Sequence, residues 1–124
     1  MEEERLFCDT NALIRLLEGD ELVGTLLAEK RIFISVITEM EMQCKPNIKA
    51  NERAVIRELL TYCAIVELTD AIKNRAVKVR LSTRLKLMDA IVGASAIEMG
   101  LPLVTADEKF SSLRGTDIIM LPQR

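Results

Sequence analysis

Apolar positions along the chain follow two rhythms that alternate from the N-terminus onward. Short, nearly continuous apolar runs at Arg5–Cys8, Arg31–Ser35, Ala64–Leu68, Leu103–Thr105 and Asp117–Leu121 read as strands. The segments between them carry helical spacing. Thr10–Glu18 places Leu13, Ile14 and Leu17 on one face, and Gly19 stops it. Asp20 is placed to cap a short helix through Glu29, and Val36–Cys44 is helical up to Pro46. Asn47 can cap a longer helix to Tyr62, with Ala54, Ile56, Leu59 and Leu60 among its apolar positions. Asp70 can cap a helix to about Ser82, and another runs from about Met88 to Met99, with Gly100 as its natural terminator. Asp107–Leu113 reads as a short helix.

This βα alternation predicts an α/β fold, a parallel sheet flanked by helices on both faces and joined by right-handed crossovers. Such sheets bind ligands at the carboxyl ends of their strands, near the point where strand order reverses. No linker, repeat or low-complexity stretch interrupts the 124 residues, so residues 1–124 are expected to form a single domain.

Composition narrows the chemistry. Apolar residues make up 49% and aromatics only 3%, so the core is aliphatic, as in sheets of buried parallel strands. The net charge of −2 is not that of a protein that coats nucleic acid. Any such contact needs a local basic patch. Cys8, Cys44 and Cys63 form no C-x-x-C pair, and with no histidine they make a poor zinc set. They are expected as buried thiols in a reducing compartment. There is no signal peptide and no apolar run long enough to span a bilayer, so the expected location is the cytoplasm, with no membrane partner.

With histidine absent, a hydrolase must work with carboxylates and a metal. Asp9, Glu39, Asp89 and Asp107 each fall at a strand end or where an apolar segment begins. Taken singly, each has an ordinary explanation as a helix cap or as a first-turn acid complementing the helix dipole. Taken together at one sheet edge, they would repel one another unless a hard divalent cation neutralised them. Asp9 directly follows the first strand, and Asp107 follows Leu103–Thr105 by two residues. Asp89 opens an apolar helix, and it joins them if that helix starts at the same edge. Glu41 competes with Glu39 but sits two residues further along the helix, on another face.

Between Asp70 and Asp89 lie Lys73, Arg75, Lys78, Arg80, Arg84 and Lys86, with no acid among them. Such runs are usually solvated helix faces. The functional alternative is a phosphate track leading to Asp89, carried by Arg80, Arg84 and Lys86. Arg80 and Arg84 share a face if the helix extends that far.

Four strings carry a family resemblance: Phe7-Cys8-Asp9-Thr10-Asn11-Ala12-Leu13-Ile14, Thr38-Glu39-Met40-Glu41-Met42, Met88-Asp89-Ala90-Ile91-Val92-Gly93-Ala94-Ser95-Ala96 and Leu103-Val104-Thr105-Ala106-Asp107-Glu108-Lys109-Phe110. Their order and spacing resemble the motifs of PIN-domain ribonucleases over essentially the whole chain. Length and build are most similar to the VapC-type toxins of prokaryotic toxin–antitoxin pairs. The resemblance implies a three-layer α/β/α sandwich around a parallel five-stranded sheet. It implies an acidic pocket holding Mg²⁺ or Mn²⁺, with Asp9, Glu39, Asp89 and Asp107 as its carboxylates. Asn11 would be a supporting amide and Thr105 a hydroxyl facing the pocket. It further implies an RNA substrate, a cognate antitoxin and a homodimer, for which Met40 and Met42 are candidate interface residues.

The expected chemistry is hydrolysis of RNA to a 5′-phosphate and a 3′-hydroxyl. Attack by the 2′-hydroxyl would normally want a histidine pair. The alternative is a catalytically silent PIN scaffold that binds RNA or a protein partner. An aspartyl-nucleophile phosphatase wants a second carboxylate where Asn11 stands. A phosphate-receiver domain wants paired early acids at the end of a strand, which are missing.

Overall fold

The computed structural model describes residues 4–124. Strands β1 (Arg5–Cys8), β2 (Arg31–Ser35), β3 (Ala64–Val66), β4 (Leu103–Thr105) and β5 (Ile118–Met120) form one parallel sheet in the order β3-β2-β1-β4-β5. Helices α1 (Thr10–Leu17) and α2 (Glu21–Leu27) join β1 to β2. Helices α3 (Val36–Gln43) and α4 (Ala50–Thr61) join β2 to β3, and α5 (Asp70–Ser82) and α6 (Leu87–Met99) join β3 to β4. A 3₁₀ helix, Glu108–Ser112, leads into β5.

The strand order explains the three layers. From β1 the chain steps outward to β2 and β3, then crosses back to pair β4 with β1. Right-handed crossovers in opposite directions place their helices on opposite faces. Leu6, Cys8, Ile34 and Val104 accordingly pack with Leu13, Val23 and Ile56 of α1, α2 and α4. Phe7 and Leu103, one residue out of phase on the same strands, pack with Ile72, Val79, Ala90 and Phe110. Strand order reverses between β1 and β4, and their carboxyl ends open the crevice that holds the candidate site.

Several boundaries shift for local reasons. Thr69, not Asp70, caps α5, its side chain accepting the Ile72 N–H at 3.2 Å. Lys49, not Asn47, stands at the start of α4; Asn47 instead takes a left-handed turn, with φ 64°, which asparagine tolerates. Leu87 begins α6, so Asp89 is its third residue rather than its cap. The expected helix at Asp107–Leu113 is a tighter 3₁₀ turn, in which Phe110 N–H bonds Asp107 O and Leu113 N–H bonds Phe110 O.

Two expectations about side chains are corrected. Cys8 is buried and Cys63 half-buried, but Cys44 is exposed, because α3 ends there and the chain turns out into a polar loop. Met42 lies in the core, whereas Met40 is half exposed. Among the described residues, no helix is long and apolar enough to cross a membrane.

Candidate active site

Asp9 is the first residue beyond β1, and its backbone N–H donates to Val104 O at 3.1 Å, tying it to β4. Its extended backbone lets it cap α1, with Oδ1 accepting the Ala12 N–H at 2.9 Å. Oδ2 accepts the Thr105 hydroxyl. Thr105 is fully buried, and its oxygen also accepts the Asp107 N–H at 3.0 Å. Asp107 in turn caps the 3₁₀ turn by accepting the Lys109 N–H at 2.9 Å. One hydroxyl thus bridges the carboxylate after β1 to the backbone of the carboxylate after β4.

Asp89 arrives from the opposite layer, in the first turn of α6, where the helix dipole favours negative charge. Asp9, Thr10, Asn11, Glu41, Asp89, Val92 and Asp107 together line a cleft of about 140 Å³ at this edge of the sheet.

Glu39 is not among the lining residues; Glu41 takes the place expected of it. The two stand on different faces of α3, and Glu41 is the one that shares a face with Thr38, three residues earlier. Thr38 is fully buried, and its Oγ1 lies 3.1 Å from Thr10 Oγ1, which itself lies 2.6 Å from Glu41 Oε1. Tertiary packing sets this rotation: Ile37 packs in the α5/α6 layer and Met42 in the α1/α4 layer. A buried threonine just past a strand end, with an acid one turn on, was the available signal.

The electrostatics are those of crowded acids. Burial pushes the Asp9 carboxyl up to about 6; the Thr105 and Ala12 hydrogen bonds pull the other way, and Asp107 and Asp89 add to the rise. Asp89 is also raised, by burial first, then by Asp107 and Glu41, with Lys109 and Lys86 opposing. Lys109 is a neighbour that sequence reasoning did not single out.

The basic run is only partly free. Lys73 pairs with Asp70 at 3.5 Å and Arg75 with Glu98 at 3.6 Å. Helix α5 ends at Ser82 and Thr83 is extended, so Arg84 leaves the helix and does not share a face with Arg80. Lys86 stands at the start of α6, three residues before Asp89.

No three carboxylate or thiol residues stand close enough to share one metal ion among the described residues. The donor set is nevertheless of one kind. Every charged residue lining the cleft is a carboxylate, accompanied by a hydroxyl and an amide, which suits a hard cation. Mg²⁺ takes only one or two carboxylates and completes its shell with water, so these residues fit it without closing on a common point.

A sequence model of the PIN domain matches residues 6–115. The chain belongs to the PIN-domain family. No curated protein matches the sequence of this PIN domain. Among solved structures, a toxin–antitoxin complex from Klebsiella pneumoniae contains a chain 30% identical to it, covering 93% of this chain and 96% of that one with a TM-score of 0.81. VapBC2 from Rickettsia felis, bound to a DNA fragment from its promoter, is 17% identical over 95% and 99% of the two chains, with a TM-score of 0.82. VapBC-5 from Mycobacterium tuberculosis is 21% identical over 94% and 98%, with a TM-score of 0.73. The last two likenesses are of fold. The three-layer sandwich with a five-stranded parallel sheet is therefore both the structure of this PIN domain and the fold of its neighbours.

Proposed function

We propose that this PIN domain is a divalent-cation-dependent endoribonuclease and the toxin of a type II toxin–antitoxin pair. The observation that carries this reading is the cleft at the strand switch point, whose charged lining is Asp9, Glu41, Asp89 and Asp107 alone. These residues would hold Mg²⁺ or Mn²⁺, with Glu41 in the role first expected of Glu39. Such a cation, when bound, polarises a phosphoryl oxygen and makes water more acidic.

The chain's own residues supply the rest. Thr105 and the Ala12 N–H grip both oxygens of Asp9, so its carboxylate is oriented before substrate arrives. Asn11 sits at the exposed rim of the cleft and is placed to orient a carboxylate or a phosphate. Asp89, at the start of α6 with its proton affinity raised by burial and by Asp107 and Glu41, is placed to take a proton leaving the attacking water. Arg84 and Lys86, and more remotely Arg80, would take RNA phosphates as the strand approaches an otherwise repulsive site. The products would be a 5′-phosphate and a 3′-hydroxyl, and the RNA substrate puts the action in the cytoplasm.

The toxin reading draws on the Klebsiella pneumoniae complex, at 30% identity over nearly the whole of both chains. A cognate antitoxin would wrap the domain and set a basic side chain in the acidic cleft. An apolar cleft of about 430 Å³, lined by Ile14, Leu17, Ile48 and Val55 among others, offers that partner a docking surface. A homodimer would use the exposed apolar residues Val77, Leu81, Leu87 and Met88.

A second reading, a silent scaffold that binds RNA or protein, is favoured by one observation, the lack of three converged metal donors among the described residues. One experiment separates the two. RNA ends are mapped in cells after brief expression, with Asp9→Asn as control. New 5′-phosphate ends that vanish with the variant support the nuclease. Equal patterns from both proteins favour the scaffold, and 2′,3′-cyclic phosphate ends would sink the hydrolytic mechanism.

A further inference from the structure

Thr10 follows Asp9 and begins α1, yet its side chain turns to α3. Its Oγ1 lies 2.6 Å from Glu41 Oε1 and 3.1 Å from Thr38 Oγ1. A hydroxyl has one proton to give. The short approach to a carboxylate is the stronger claim on it, because charge-assisted hydrogen bonds are shorter and stronger than neutral ones. Thr38 then donates its own proton to the Thr10 oxygen, and the three groups form a directed chain from Thr38 through Thr10 to Glu41.

The burial gradient matches that direction. Thr38 is fully buried, Thr10 half-buried and Glu41 exposed. A glutamate on an exposed helix face has three freely rotating side-chain bonds and no reason to keep one rotamer. Thr10 removes that freedom by anchoring one oxygen of Glu41 to a hydroxyl that is itself held by the core. Because Thr10 is bonded to Asp9 through the chain, the same hydrogen bond fixes the separation between a carboxylate of α3 and the carboxylate that ends β1.

We infer that Thr10 is a positioning residue for Glu41, holding its carboxylate in the cleft beside Asp89, with Thr38 as the anchor. This rests on the reading of the cleft as a cation-dependent nuclease site. The plainer role for the same atoms is a simple tie between α1 and α3. That role predicts lower stability and nothing more.

The test compares Thr10→Val, which keeps the shape and removes the hydroxyl, with Thr10→Ser, which keeps the hydroxyl. Mn²⁺ affinity is read by titration calorimetry, kcat and KM are measured separately on RNA, and the Glu41 rotamer is read from a crystal structure of each variant. Thr10→Val is expected to release the Glu41 rotamer, weaken Mn²⁺ binding by about tenfold and lower kcat with KM little changed. Thr10→Ser is expected to restore all three. Thr10→Val added to Glu41→Ala should cost nothing further in Mn²⁺ affinity, since without a side-chain acceptor at position 41 Thr10 has nothing to position. An unmoved Glu41 in Thr10→Val, or additive losses with Glu41→Ala, would overturn the inference. The rotamer is read without RNA or metal, so failure of the positioning role is distinguishable from failure of the nuclease reading.

Discussion

Thr105 donates its hydroxyl proton to Asp9, a residue 96 positions earlier in the chain. The bond spans the two strands whose carboxyl ends flank the reversal of strand order. It is buried, and its acceptor is only 5% exposed. A carboxylate oxygen in that setting has little access to water that could replace a missing donor.

Thr105→Val is therefore expected to destabilise the fold by about 1–3 kcal/mol, the cost of a buried polar group left unpaired. It also frees the Asp107 N–H that Thr105 accepts. Urea unfolding at neutral pH measures this. Thr105→Ser should recover most of the stability, and a Val variant as stable as wild type would show that the bond contributes nothing.

Asp9 makes the metal-free protein sensitive to pH in a defined direction. Its carboxyl rises from 3.8 to about 6 on folding, so the folded chain holds this proton more tightly than the unfolded chain does. Below the lower value both states are protonated and the contribution to stability is full. As pH climbs through the higher value it is lost, by roughly 3 kcal/mol in all. In EDTA, the urea midpoint should fall between pH 4 and 7. Asp9→Asn should flatten that fall, because asparagine does not titrate and its one carbonyl oxygen still caps α1 by accepting the Ala12 N–H, while its NH₂ replaces the oxygen that accepts from Thr105. Mg²⁺ should raise the wild-type midpoint and leave the variant unmoved.

The two glutamates of α3 give a direct contrast. Glu41→Gln is expected to reduce RNA cleavage by roughly 10- to 100-fold or more, in the range seen when support at a metal site is removed. Glu39→Gln should stay within about twofold of wild type, as a surface substitution does. Initial rates at saturating Mg²⁺ decide this, and the reverse ranking would return Glu39 to the site.

Charge reversal separates track from surface. Arg84→Glu with Lys86→Glu should flatten the dependence of RNA affinity on salt, by about 0.7 in log–log slope for each single-strand phosphate that the variant no longer neutralises. Lys73→Glu, remote from Asp89 in sequence and already paired with Asp70, should change the slope little. Filter binding to an uncleavable RNA across a salt series makes the comparison.

What the sequence determined by itself was whatever depends on short-range periodicity. Alternation along Leu6, Phe7 and Cys8, and along Leu103 and Val104, already divides the core into its two layers. Asp9 and Asp107 were legible because each directly follows or closely trails a strand, and strand ends are where such sheets bind ligands. Where several capping groups stood in a row, local preference could not choose, and Thr69 displaced Asp70 at the start of α5. Only tertiary structure decided which face of α3 meets the cleft. Each residue turns a helix by about 100°, and packing of Ile37 and Met42 in opposite layers chose a rotation that presents Glu41 in place of Glu39. The same holds for the end of α5, which released Arg84 from the face of Arg80, and for the Thr105 bond to Asp9. Helical phase and a hydrogen bond between residues 96 positions apart are set by how whole layers pack. No window of neighbouring residues contains that information.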